Sequence, residues 1–239
     1  MKIIMDVNKM LENEDAWDLK WKELFISYQK DLRHAYYLNA LLDKNFSILE
    51  IAAGSFRDMA FLNSLGYDCH GCDFSNESII SAKEYFPKLR DKIFKSNAFN
   101  LDKMGKKFDV TYHNGFWVCF EDDNVLISLY GIQRNITKKY MIITVHNGHN
   151  LAFKKYFNEK RKNDNLYAIR FFEIDEFIKI FGLSKNEIQI FPVGKGKLSH
   201  EDVLVSDNNA SRMDMMKFMK PNDLTLLDIS ERLIFLIPI

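Results

Sequence analysis

The 239-residue chain is poor in the features that mark several protein classes. Its three cysteines, Cys69, Cys72 and Cys119, are too few and too odd in number for a disulfide framework, and such scarcity fits a reducing compartment. With four prolines and ten glycines, neither a collagen-like nor a linker-rich architecture is possible. Neither sign of charge predominates: 33 Lys and Arg balance 33 Asp and Glu, so no overall field gathers nucleic acid or an anionic membrane. Apolar runs such as Leu233 to Ile237 fall far short of the roughly 20 residues of a spanning helix. Asp6 interrupts the N-terminal stretch before the apolar segment of a secretory leader develops. A cytoplasmic protein with no membrane span is the expectation.

What is present suits a folded core: 47% of residues are hydrophobic, 14% aromatic and 28% charged. One domain over residues 1–239 is the economical reading, divided into a helical cap (1–45), a central part (46–150) and a C-terminal part (151–239). From about Val7 to Leu42, the residues Trp17, Leu24, Tyr28, Leu32 and Tyr36 recur at mostly helical spacing among charged neighbours, which predicts the cap. From Ser47 the pattern changes. Ile48 to Ile51 reads as a buried strand, Gly54 breaks it, and Arg57 to Leu65 reads as a helix stopped by Gly66. Similar units follow: strand Tyr67 to Cys72 with helix Asn76 to Phe86, strand Ile93 to Ser96, strand Phe108 to Tyr112 with helix Asp122 to Asn135, and strand Tyr140 to Val145 with helix Leu151 to Lys160. Strands alternating with helices predict a mainly parallel sheet covered on both faces. Phe171 to Phe181 reads as a helix. Glu187 to Val193 and Arg232 to Ile237 read as an antiparallel pair, because a polar, Met-rich insertion at about 194–228 separates them instead of a crossover helix.

Open parallel sheets bind ligands beyond the carboxyl ends of their strands. The residues there are Ala52-Ala53-Gly54, Asp73-Phe74-Ser75, Asn97-Ala98 and His113-Asn114-Gly115. Asp73 ends a strand 19 residues after Gly54. A carboxylate at that place accepts both hydroxyls of a ribose, while small residues at 52 to 54 allow close backbone approach. Glu50 is an acid inside an apolar strand and requires a partner.

These segments resemble the class I S-adenosylmethionine-dependent methyltransferases. Leu49 to Asp58 is similar to the family's Glu-x-Gly-x-Gly-x-Gly turn, Leu65 to Ser75 to its acidic second motif, Asn97-Ala98 to its adenine-side Asp-Ala pair, and Phe108 to Gly115 to its fourth-strand motif. The four occur in family order over roughly Ser47 to Asn147. The resemblance implies an α/β, three-layer Rossmann-like sandwich whose seven-stranded sheet is mainly parallel with an antiparallel C-terminal strand. It implies S-adenosylmethionine as cofactor. Glu50 would orient the turn and the methionine amino group, and Ala52, Ala53 and Gly54 would line the methionyl part. Asp73 would bind the ribose, Phe74 would pack on the adenine, Asn97 and Ala98 would meet its edge, and His113 and Asn114 would sit beside the sulfonium. Ala52 and Phe56 replace two of the turn's glycines. Ala is expected to hold a negative φ at position 52, whereas Phe56 implies a differently packed junction. Asn97 replaces a carboxylate but keeps an acceptor oxygen.

The implied reaction is methyl transfer to an O or N atom of a small polar acceptor such as a sugar, a sugar phosphate or another metabolite. The absence of a Pro-Pro-Tyr-type sequence after the fourth strand disfavours nucleobase amino groups. His146 is the first candidate for a proton-accepting base and His113 the second. Trp17, Tyr28, Tyr37, Trp117 and His149 are candidates to line the acceptor pocket. Two alternatives stand beside this reading. An NAD-dependent oxidoreductase requires a Gly-x-Gly-x-x-Gly turn of which only Gly54 is present, and a non-catalytic, cofactor-binding member of the fold would account for Ala52 and Phe56. No metal is expected, since His146-x-x-His149 lacks further ligands. Cys69-x-x-Cys72 places its thiols on opposite strand faces. Lys154, Lys155, Lys160, Arg161 and Lys162 read as a solvated helix face, Gly194 to Lys197 as a turn, and Met213, Met215, Met216 and Met219 as packing within the insertion.

Overall fold

Strand periodicity sorts the central side chains into two layers. Ile48 and Cys69 pack in one hydrophobic cluster, Leu49, Ile51 and Cys72 in another on the opposite face, so the two cysteines are separated as the alternation requires. The computed structural model describes residues 13–164 and 167–239; the part of the expected cap before residue 13 lies outside them. Seven strands form one sheet: β1 (Ser47–Ile51), β2 (Asp68–Asp73), β3 (Ile93–Lys95), β4 (Phe108–Asn114), β5 (Thr137–His146), β6 (Gln189–Val193) and β7 (Arg232–Pro238). Their order is β3-β2-β1-β4-β5-β7-β6. The pairings among β1 to β5 are parallel, and β7 runs antiparallel to both β5 and β6. The mixed, mainly parallel α/β sandwich is therefore observed, and β7 is inserted between β5 and the edge strand β6.

Nine α-helices are described: α1 (Glu14–Tyr28), α2 (Arg33–Leu41), α3 (Arg57–Ser64), α4 (Asn76–Tyr85), α5 (Asp123–Asn135), α6 (Leu151–Arg161), α7 (Ile174–Phe181), α8 (His200–Ser206) and α9 (Arg212–Phe218). On one face, α2 and α3 pack over Ile48, Val110, Tyr112 and Ile142. On the other, Leu126 and Leu129 of α5 and Phe177 of α7 join Met141, Ile143, Val145 and Phe235. Phe177 stacks on Phe235 at 3.7 Å between centroids.

Two elements differ from the sequence reading. The helix expected from Phe171 begins only at Ile174, because Phe172 continues the edge of β5: its N–H donates to the carbonyl of His146 (2.9 Å), and its carbonyl accepts from Gly148 (2.8 Å). The Met-rich insertion contains α8 and α9, which seal α2. Arg212 donates to the carbonyls of Asn39 (2.9 Å) and Leu42 (2.8 Å), satisfying acceptors at the end of α2. Only Met215 of α9 is buried, whereas Met213 and Met216 are exposed. The basic residues of α6 are also exposed, and that helix has no buried residue.

Candidate active site

The carboxyl ends of β1, β2, β4 and β5 open onto a cavity of about 530 Å³. Its floor is the turn after β1. Ala52, Gly54 and Phe56 all have positive φ, +52°, +54° and +56°, so the alanine is not in the negative-φ conformation expected for it. Phe56 is fully buried, and its ring lies 2.8 Å from where a side chain at Gly71 would begin. A large residue at 56 is thus matched by none at 71. Asp73 is buried at the end of β2. One carboxylate oxygen accepts from Gly54 N–H (2.8 Å) and the other from Ser75 N–H (2.9 Å). Burial, with Asp18 nearby, raises its pKa to about 6 despite these hydrogen bonds.

The roof is α1. Trp17, Lys20, Trp21, Leu24 and Tyr28 line the cavity at the i, i+3, i+4, i+7, i+11 spacing of one helical face. Of the helix's residues only Phe25 is buried, so its aromatic face covers a space instead of a core. Trp17 and Trp21 stack at 6.5 Å, and Trp21 meets Tyr28 edge-on at 5.5 Å. Trp21 lies against Gly54 so closely that a β-carbon there would overlap its ring. Polar bonds fasten the roof at both ends. Asp18 accepts from Ser75 Oγ (2.5 Å) and Glu77 N–H (3.1 Å), capping α4, and Arg57 donates to the carbonyl of Tyr28 (2.6 Å).

Behind the floor lies a buried polar network. Glu50 accepts from Met59 N–H (3.1 Å) at the first turn of α3, and burial together with Asp58 pushes its pKa well up. Asp58 resists its own burial because His34 Nδ1 (2.6 Å), Arg57 and Asn114 Nδ2 (3.2 Å) surround it; its pKa is lowered. The environments thus push the two acids apart, Glu50 up and Asp58 down. His34 continues the chain to Thr144 Oγ1 (2.8 Å).

At the far end of the cavity, His146 closes β5 beneath Phe153, Phe157 and Phe171, with ring centroids 5.7, 5.1 and 5.4 Å away. Burial, aided by Arg232, depresses its pKa well below the usual histidine value, so the imidazole is neutral. Its Nδ1 has no hydrogen-bond partner among the described residues. Cys119, also lining the cavity, is pushed up to about 12 by burial and stays a thiol.

Of the residues expected from the sequence, Glu50, Ala52, Ala53, Asp73, Phe74, Asn114, Trp17, Tyr28 and His146 line this cavity, and Gly54 lies beneath it. Others do not. His113 points to the α5 side of the sheet because neighbours on a strand face opposite ways; it is buried against Trp117 at 4.9 Å, and burial drives its pKa down to about 3. Trp117 is 1% exposed and packs on Phe177 and Phe181, a core residue and not an acceptor wall. Tyr37 donates to Asp202 (2.7 Å) and accepts from Gly194 N–H (3.2 Å), which places it under the insertion. His149 Nε2 accepts from Ile174 N–H (3.1 Å) and serves the start of α7. Asn97 is exposed and caps the 3₁₀ turn Ala98–Met104 through Phe99 N–H (2.9 Å), while Ala98 packs into the core outside the cavity. Sequence reasoning missed Trp21 and Arg57 as wall residues, the His34–Asp58 pair, and Arg232. The spacing of Trp21 with Trp17, Leu24 and Tyr28 was the available signal for the first. Among the described residues no group of three His, Cys, Asp or Glu side chains is placed to hold a metal, and no helix is long and apolar enough to cross a membrane.

No protein-family model and no curated protein matches the sequence. Solved structures do match. A Thermotoga maritima protein described as a S-adenosylmethionine-dependent methyltransferase and possible histamine N-methyltransferase is 16% identical, with TM-score 0.61 over 92% of this chain and 94% of that one. The plantazolicin methyltransferase BamL, solved with a triazolic desmethylplantazolicin analogue and S-adenosylhomocysteine, is 17% identical, with TM-score 0.56 over 97% of each chain. A TehB-like S-adenosylmethionine-dependent methyltransferase from Corynebacterium glutamicum is 15% identical, with TM-score 0.56 over 94% and 96%. The likeness extends over nearly the whole chain and establishes the fold, that of the class I methyltransferases.

Proposed function

We propose that the chain is a S-adenosylmethionine-dependent methyltransferase that methylates an O or N atom of a small polar acceptor. The observation that carries this reading is Asp73. It is a buried carboxylate at the end of β2, held by two backbone N–H groups, on the wall of a cavity floored by small residues of the preceding turn. Such a group accepts the paired hydroxyls of a ribose, and its backbone bonds fix it in advance of binding. Ala52, Ala53 and Ser55 leave room for the methionyl arm, Phe74 offers a face to the adenine, and Asn114 stands at the end of β4 between the two halves of the cavity. Strand order also separates the fold from the dinucleotide-binding sheet, whose order is 3-2-1-4-5-6 and parallel; here an antiparallel β7 lies between β5 and β6.

The cofactor supplies an already activated methyl group on sulfur, so the protein's task is alignment and the exclusion of water. The aromatic face of α1 excludes water. His146, neutral and with its Nδ1 unpaired among the described residues, accepts a hydrogen bond from the acceptor's hydroxyl or amine and so orients its lone pair toward the donor.

Calorimetric titration with S-adenosylhomocysteine, with NADH as comparison, tests the reading. Binding of the nucleoside and none of NADH is expected, with Asp73→Ala weakening it about 30-fold or more, as for loss of charge-assisted hydrogen bonds. The ribose hydroxyls donate to the ionised carboxylate and lower its pKa in the complex. Affinity is therefore level above pH about 6, falls as the pH drops below that value, and loses this step in Asp73→Asn. A folded wild-type protein that does not bind S-adenosylhomocysteine overturns the proposal.

A further inference from the structure

Arg232 has no role in the scheme above, yet it is a wall of the same cavity. As the first residue of β7 it lies directly opposite His146 of β5, with its guanidinium over the ring of Phe153 at 5.5 Å. Its Nη1 is shut off from solvent and has no hydrogen-bond partner among the described residues. The acids nearby are engaged elsewhere: Arg33 holds Asp31 at 2.8 Å and approaches Glu231 at 3.7 Å. Burial lowers the pKa of Arg232 only to about 10, so the group is a cation at neutral pH. An enclosed guanidinium with unused donors is costly unless an anion completes it, and its planar fork suits a carboxylate or a phosphate.

Sheet order decides which end of a bound complex supplies that anion. Asp73 ends β2 and Arg232 begins β7, four strand steps apart in the order β2-β1-β4-β5-β7, or about 19 Å at the usual interstrand spacing. The two residues thus stand at opposite ends of the cavity, the ribose-binding carboxylate at one and the guanidinium, next to His146, at the other. The guanidinium is therefore assigned to the acceptor end, beside His146, where Phe157 and Tyr167, packed on each other at 5.1 Å, form a further wall. We propose that the acceptor carries an oxyanion, and that Arg232 selects it by pairing with that carboxylate or phosphate while His146 meets the acceptor's nucleophile. This rests on the transferase reading for the identity of the reaction, but the anion preference can be measured by itself.

The test is calorimetric titration of the protein, with and without saturating S-adenosylhomocysteine, using 4-hydroxybenzoate and phenyl phosphate as oxyanion probes and 4-hydroxybenzamide as the neutral control. At least one oxyanion is expected to bind about tenfold or more tightly than the amide; which one does so identifies the acceptor's anion. R232Q is expected to abolish the preference, R232K to retain part of it, and both to bind S-adenosylhomocysteine within about twofold of wild type, with melting curves reporting that each variant folds. Equal binding of anionic and neutral probes by the wild type overturns the proposal, as does a preference that survives in R232Q. If R232Q weakens S-adenosylhomocysteine but not 5′-methylthioadenosine, the guanidinium holds the donor's carboxylate and the proposal fails. If the wild type binds no S-adenosylhomocysteine but keeps the oxyanion preference, the transferase reading falls while the anion site stands.

Discussion

Ala52 stands in a conformation that its side chain disfavours. Residues with a β-carbon reach the left-handed region at a cost of roughly 1 kcal/mol, and the turn over which the cavity opens contains two of them, Ala52 and Phe56. Their remedies differ. Ala52→Gly removes the clash and leaves nothing unfilled, so it is expected to stabilise the protein by about 1 kcal/mol and to raise the melting temperature by about 2–4 °C in a thermal scan. Phe56 has already been compensated, because Gly71 leaves space for its ring. At this scale the sequence was legible where polarity contradicts surroundings: Asp73 and Glu50 declare themselves as acids at the ends or centres of apolar strands. The backbone angle at residue 52 was not legible, since alanine adopts a negative φ wherever the chain permits it. Nor was Arg232, whose importance depends on β7 being placed beside β5 by residues far away in the chain.

The elements divide between those that build the site and those that support it. The insertion helices α8 and α9 belong to the second kind. Asp202 accepts from Tyr37 Oη (2.7 Å), from Ser199 Oγ (2.9 Å) and from Lys195 N–H, so it ties α8 to the buried α2 and to the turn after β6. Asp202→Ala leaves those donors without an acceptor and is expected to cost about 1–3 kcal/mol in urea unfolding, with S-adenosylhomocysteine affinity unchanged within about twofold. A large loss of affinity would instead make the insertion part of the site. The amphipathic pattern of α1 was plain in the sequence, but its meaning was ambiguous. A stripe of Trp17, Trp21, Leu24 and Tyr28 reads the same whether it meets a protein core or a cavity, and only the packing of the remaining elements shows that nothing but Phe25 is buried. Likewise the helix expected at Phe171 began later because Phe172 was drawn into pairing with β5, a contact that local propensity does not encode.

For the whole molecule, strand order turns three scattered segments into one surface. The small turn after β1, the acid after β2 and the amide after β4 lie within roughly 100 residues of sequence, from Ser47 to Asn147, and the alternation of strands and helices was enough to bring their strands side by side. The far wall of the cavity draws on residues from the second half of the chain, Phe157, Tyr167 and Arg232, where the strand–helix rhythm stops; there the sequence pattern indicated an antiparallel pair but not its insertion next to β5. The placement of the chain's three tryptophans follows from the same architecture. Trp17 and Trp21 roof the cavity while Trp117 is sealed in the core. Emission from Trp117 should be blue and constant, and emission from the other two should respond to whatever enters beneath them. A fluorescence titration with S-adenosylhomocysteine is expected to quench or shift part of the spectrum, with most of the change lost in Trp21→Phe. The aromatic roof of the cavity is thus also an optical gauge of occupancy, and it needs no attached dye.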